Sequence, residues 1–131
     1  MNNSFKAVSI SYKTAPLEIR ESVSLNEGNI KRLLEQFKDF IPANDVLIVS
    51  TCNRTEVYYS SQRDCSKAII NLIAIEKGTF NPTAIATYFK IINNSNEAIR
   101  HLFNVSLGLE SQVVGDLQIS NQVKKILSIL C

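Results

Sequence analysis

The stretch from Val46 to Tyr59 restricts the fold of this chain more than any other. Val46-Leu47-Ile48-Val49 is wholly apolar and mostly β-branched, which reads as a buried strand. Val57-Tyr58-Tyr59 is a second β-prone run. The intervening Ser50-Thr51-Cys52-Asn53-Arg54-Thr55 is small and polar, so it belongs at the rim of a sheet where two strands meet. Cys52 there has hydroxyls, an amide and a guanidinium within a few residues. Such donor-rich, electropositive surroundings favour thiolate over thiol. Spacing alone also admits a structural cysteine beside a turn.

The rest of the chain supplies further elements. Phe5 to Ser11 alternates as a first strand, and Pro16 opens a short helical stretch from Leu17 to Val23. Ser24 and Glu27 have capping-box spacing, followed by Ile30, Leu33, Leu34, Phe37, Phe40 and Ile41 at helical intervals and a stop at Pro42. Beyond the Cys52 segment, Asp64 is placed to cap a helix from Ser66 to Lys77, with Ile69, Leu72 and Ile73 inward and Gly78 as terminator. Tyr88 to Ile92 is the last strand. The order β-α-β-β-α-β predicts an α+β fold of the ferredoxin-like, split-βαβ kind with helices on one face of the sheet.

Two or three helices then close the chain. Asn94 and Glu97 bracket the start of one whose apolar face is Ala98, Ile99, Leu102 and Phe103. His101, the single histidine, points well away from the centre of that face. A solvated helix residue is one reading; a proton-transfer partner for a distant cysteine is the other. Asp116 caps a final helix with Ile119, Val123, Ile126, Leu127 and Leu130 inward, which runs uncapped into Cys131. That end suggests a chain cut from something longer. The expected division is a core over residues 1–92 and a helical extension over 93–131.

Composition weighs against several classes. In 131 residues the net charge is +2 and no basic run occurs, which argues against a dedicated electrostatic nucleic-acid binder. Three cysteines without a Cys-x-x-Cys pair fit free thiols in a reducing cytoplasm, and with one histidine they lack metal-ligand spacing. No apolar run approaches the roughly 18 residues of a membrane span.

Four ordered segments resemble the glutamyl-tRNA reductase family: Tyr12-Lys-Thr-Ala-Pro16 with Glu18-Ile-Arg-Glu21; Ser50 to Tyr58; Glu97-Ala-Ile-Arg-His-Leu-Phe103; and Gly108 to Gly115 followed by Asp116-Leu-Gln-Ile119. The resemblance implies the catalytic domain of an NADPH-dependent enzyme of tetrapyrrole (porphyrin) biosynthesis. In that reaction a cysteine attacks the glutamyl ester of charged tRNA, and hydride reduces the thioester to glutamate 1-semialdehyde. Carried over by motif, Cys52 is the nucleophile and His101 its catalytic partner as base, acid or orienting group. Thr51, Arg54 and Ser111 bind substrate, with Asn53 in a secondary place. Arg54 is suited to grip the one anionic group of the esterified glutamate.

Tyr12 stands where the family usually has histidine and Leu117 where it has proline, while Glu110 and Asp116 swap acid lengths; none of these four is assigned to the site. No Gly-x-Gly-x-x-Gly occurs, so NADPH is expected on a domain of the full-length enzyme and not on this chain. The resemblance also implies a homodimer through a C-terminal domain, and handover of the aldehyde to an aminomutase. Cys65 and Cys131 read as bystanders. The rival classes are a non-enzymatic RNA-binding module, for which Tyr58 and Tyr59 are strand aromatics, and a thiol hydrolase acting on another ester.

Overall fold

The strand Phe5–Ser11 (β1) is buried at all seven positions, which a strand achieves only with neighbours on both edges and cover on both faces. The computed structural model describes residues 4–79 and 81–111 and shows how this is met. In chain order the elements are β1, α1 (Leu17–Ser22), α2 (Glu27–Phe40), β2 (Asn44–Ser50), β3 (Arg54–Ser60), α3 (Ser66–Lys77), α4 (Pro82–Ala86), β4 (Lys90–Ile92) and α5 (Ser95–Ser111). The sheet order is β2-β3-β1-β4 and every pair is antiparallel. Each helical crossover therefore spans a strand lying between the two it joins, so the α+β class expected from the sequence is present.

Alternation along β1 and β3 sorts two cores. Val8, Ile10, Val57 and Tyr59 face one side, where Leu33 and Phe37 of α2 and Ile69, Ile70 and Ile73 of α3 pack. Phe5, Ala7, Val49 and Tyr58 face the other, where α5 contributes Ala98, Leu102 and Val105. The second face is thus closed by α5, and Tyr58 and Tyr59, both at 0% exposure, lie on opposite sides.

Several boundaries differ from the sequence reading, each for a local reason. The N-cap of α2 lies two residues after Ser24: Asn26 accepts from the Asn29 amide (2.8 Å) while the Asn29 side chain accepts from the Asn26 amide (3.0 Å). Leu25 is buried and its amide donates to Ser50 Oγ (2.9 Å), so the helix cannot begin earlier. At the far end of α2, Phe40 is 69% exposed and Ile41, in extended backbone, takes the core place.

Helix α3 has the expected bounds. Asp64 Oδ1 accepts from the Ser66 amide (2.9 Å), although the N-cap residue itself is Cys65. Gly78 closes α3 at φ 66°, the left-handed conformation glycine adopts without a Cβ penalty. Helix α4 was not expected, although Asn81 before Pro82 is a start signal; Asn81 Oδ1 accepts from the Ala84 amide at 3.1 Å. The amides of Tyr88 and Phe89 donate to Ile85 and Ala86, so β4 begins only at Lys90. Asn94 caps α5 as read, accepting from Glu97 N at 3.0 Å. The expected helix from Asp116 to Cys131 and the segment around Leu117 lie outside the described residues.

Candidate active site

Ser50 and Thr55 are paired across β2 and β3, and their hydroxyls meet at 3.0 Å. Thr51, Cys52 and Asn53 form the tip between them, as the small polar run predicts. The Thr51 amide donates to Arg54 O (2.8 Å), the Asn53 amide to Thr51 Oγ1 (3.2 Å), and the Tyr12 amide to Asn53 O (2.9 Å). Arg20 of α1 reaches the Cys52 carbonyl through Nη1 at 3.4 Å. The turn is thus held from within and from two other parts of the chain. Its thiol, Cys52, is exposed, whereas Cys65 is buried with Sγ 3.6 Å from Ser61 Oγ and from Arg63 O.

The other predicted residues divide. Thr51 accepts the Asn53 amide with its side chain and so satisfies a backbone group of the turn. Arg54 is turned along its own strand, Nη1 lying 3.4 Å from Glu56 Oε2 with the side chain 19% exposed. His101 does not point into solvent. Its Nε2 is 2.6 Å from the same oxygen, Glu56 Oε2, and its ring tilts against that of Tyr58 at 6.4 Å between centroids. The sequence reading included Phe103, which is 48% exposed, in the apolar face of α5. The buried face is Ala98-Leu102-Val105, and at about 100° per residue its centre lies ~65° from His101, close enough to bring the ring onto the sheet. Ser111 is the last described residue of α5, and nothing of its side chain is described.

Glu56 is the residue the sequence reading missed. It is at 0% exposure and meets four polar groups: Ser9 Oγ (2.5 Å) and Arg54 Nη1 donate to Oε2, Tyr58 OH (2.8 Å) donates to Oε1, and His101 Nε2 lies against Oε2. Burial raises its pKa, but the bonds from His101 and Ser9 and the charges of His101 and Arg54 outweigh burial and hold the carboxyl below its ordinary range. Tyr58 moves the opposite way: burial and then the Glu56 charge raise its phenol well above the usual value, so it stays a neutral donor. The signal was available, since Arg54, Glu56 and Tyr58 alternate onto one sheet face.

Elsewhere, an open polar cleft of about 480 Å³ lined by Asn44, Asp45, Ser61, Gln62 and Arg63 lies at the opposite end of β2 and β3 from Cys52 and includes none of Cys52, Arg54, Glu56 or His101. Among the described residues no group of three or more His, Cys, Asp or Glu is placed to hold a metal, and no helix is long and apolar enough to cross a membrane. Both sheet faces are covered, so neither strand tyrosine is available to stack on a base as an RNA-binding module requires.

Comparison with known proteins agrees with these motifs. The family model described as "Glutamyl-tRNAGlu reductase, N-terminal domain" matches residues 8–130. The chain is 51% identical over 124 residues to the glutamyl-tRNA reductase of Cytophaga hutchinsonii, covering 95% of this chain and 29% of that protein. It is 39% identical over 120 residues to that of Microcystis aeruginosa, covering 89% and 27%. The solved structure of glutamyl-tRNA reductase from Methanopyrus kandleri superposes with a TM-score of 0.64 at 28% identity, over 97% of this chain and 28% of that one. This chain accordingly spans less than a third of the length of these relatives. It belongs to the family of glutamyl-tRNA reductase N-terminal domains.

Proposed function

We propose that this chain carries out the acyl-transfer half of glutamyl-tRNA reduction in the cytoplasm, the entry to tetrapyrrole biosynthesis. The observation that supports it best is the exposed Cys52 thiol on a pinned turn, followed two residues later by the Arg54–Glu56–His101 cluster. A thiolate is both a strong nucleophile and a good leaving group, which suits a two-step acyl transfer. Cys52 attacks the ester carbonyl, the tRNA hydroxyl departs with a proton, and a glutamyl thioester remains. The side-chain carboxylate is the one anion left on the esterified amino acid. Arg54 is the residue assigned to it, and Arg20, whose Nε is buried without a hydrogen-bond partner, brings a second guanidinium to the turn. Thr51 keeps a hydroxyl hydrogen to donate while its oxygen accepts from Asn53. Ser111 and Asn53 retain the substrate-binding places the family resemblance gives them, and His101 the proton chemistry.

In the full-length enzyme the hydride donor is NADPH. The residues of this chain do not fit a glycine-rich dinucleotide cradle. Its four glycines form no Gly-x-Gly-x-x-Gly, and among the described ones Gly28 and Gly108 lie inside helices and Gly78 ends one. Reduction, homodimer formation and delivery of the aldehyde to an aminomutase therefore belong, in this proposal, to residues other than these.

The test is to incubate the chain with glutamyl-tRNA and map acyl adducts by mass spectrometry. A glutamyl thioester on Cys52, absent in Cys52→Ser, is the expected result. With NADPH added, slow release of free glutamate is expected. Glutamate 1-semialdehyde in that mixture would refute the division of labour, and labelling of Cys65 in place of Cys52 would refute the nucleophile.

A further inference from the structure

A fully buried carboxylate that meets three donors and one imidazole nitrogen imposes a proton arrangement on its neighbours. The hydroxyls of Ser9 and Tyr58 each bring a hydrogen to Glu56, and the Arg54 guanidinium is always charged. With three donors already turned on it, one of them permanently charged, the group is an ionised acceptor, in keeping with the lowered range of its carboxyl. The contact at 2.6 Å between His101 Nε2 and Glu56 Oε2 must contain one hydrogen, and an ionised carboxylate has none to give. That hydrogen therefore sits on Nε2. The ring has little freedom to turn away, because Tyr58, against which it tilts, is itself tied to the other oxygen of Glu56.

We infer that Glu56 is the positioning residue for His101: it fixes the imidazole as the Nε2–H tautomer, leaving Nδ1 as the one ring nitrogen able to exchange a proton during acyl transfer at Cys52. The role, though not the tautomer, rests on the acyl-transfer reading above. The step balances as follows. The thiol hydrogen of Cys52 passes to Nδ1 and the sulfur bonds to the ester carbonyl carbon. The C–O bond to the tRNA ribose breaks, and the departing oxygen takes the hydrogen back from Nδ1. In the interval the imidazolium charge is balanced by Glu56, which never gains a proton. Ser9 and Tyr58 keep that carboxylate in place from β1 and β3.

His101 is the single histidine of the sequence, so a long-range ¹H–¹⁵N correlation spectrum of the labelled chain reports one imidazole. Above the pH at which the ring becomes neutral, a pyridine-type Nδ1 and a pyrrole-type Nε2 are expected. A dominant Nδ1–H form, or an even mixture, overturns the inference without any substitution being made. In Glu56→Gln the side-chain amide can donate to Nε2, so the tautomer should shift toward Nδ1–H. Single-turnover thioester formation should fall by about 10²-fold or more, the usual scale of general acid–base catalysis, while binding of glutamyl-tRNA is retained. A folded Glu56→Gln chain that acylates at the original rate removes the positioning role. If that variant does not fold, the spectrum of the unaltered chain decides alone. Absence of thioester in the unaltered chain refutes the functional reading and leaves the tautomer result standing.

Discussion

At the scale of single residues, the two described cysteines differ in the way a nucleophile and a core thiol should. Cys52 is exposed on a turn, while Cys65 is 6% exposed and its sulfur contacts Ser61 and Arg63. Brief treatment with a small alkylating reagent near neutral pH should modify Cys52 well before Cys65. Peptide mapping that finds Cys65 modified first would contradict the assignment. The turn and the place of its cysteine were legible because an apolar run, a polar interruption and a second strand leave few other conformations. That Glu56 shares a face with Arg54 and Tyr58 was legible too, but its burial was not, because a lone acid inside a β-prone run is ordinarily a solvent-facing residue. Its burial depends on α5 arriving from forty residues downstream to cover that face, as the His101–Glu56 bond shows across a separation of 45.

At the scale of elements, strand and helix identities were set by local pattern, whereas their ends were set by tertiary contacts. The start of α2 illustrates this. Ser24 and Glu27 satisfy the capping-box spacing, yet the sheet claims Leu25 through Ser50 and moves the cap to Asn26. Leu25 and Ile30 then share one apolar cluster, as a residue before the cap and one in the first turn commonly do. Asn26→Ala should cost about 1 kcal/mol in denaturant unfolding, and Ser24→Ala less than about 0.5 kcal/mol. The reverse ranking would mean that the helix begins where the sequence spacing suggested. The same logic explains β4, whose first two expected residues were drawn into the turn after α4.

At the scale of the molecule, the sheet order has a kinetic meaning. β2 and β3 are joined by three residues, so their pairing closes a short loop. β1 lies beside β3 and β4, both far from it in sequence, and its pairing must close much longer ones. Local contacts form first when stabilities are comparable, so the hairpin bearing Cys52 should be the early structure and the docking of β4 and α5 the late one. In folding kinetics, Val49→Ala should give a φ-value above about 0.5 and Ile92→Ala one below about 0.3. Equal values would dispose of the idea. If the order holds, the turn that carries the sulfur is shaped before the imidazole of His101 arrives with α5. A chain interrupted before α5 forms would then present a shaped thiol without the partner the proposed chemistry gives it.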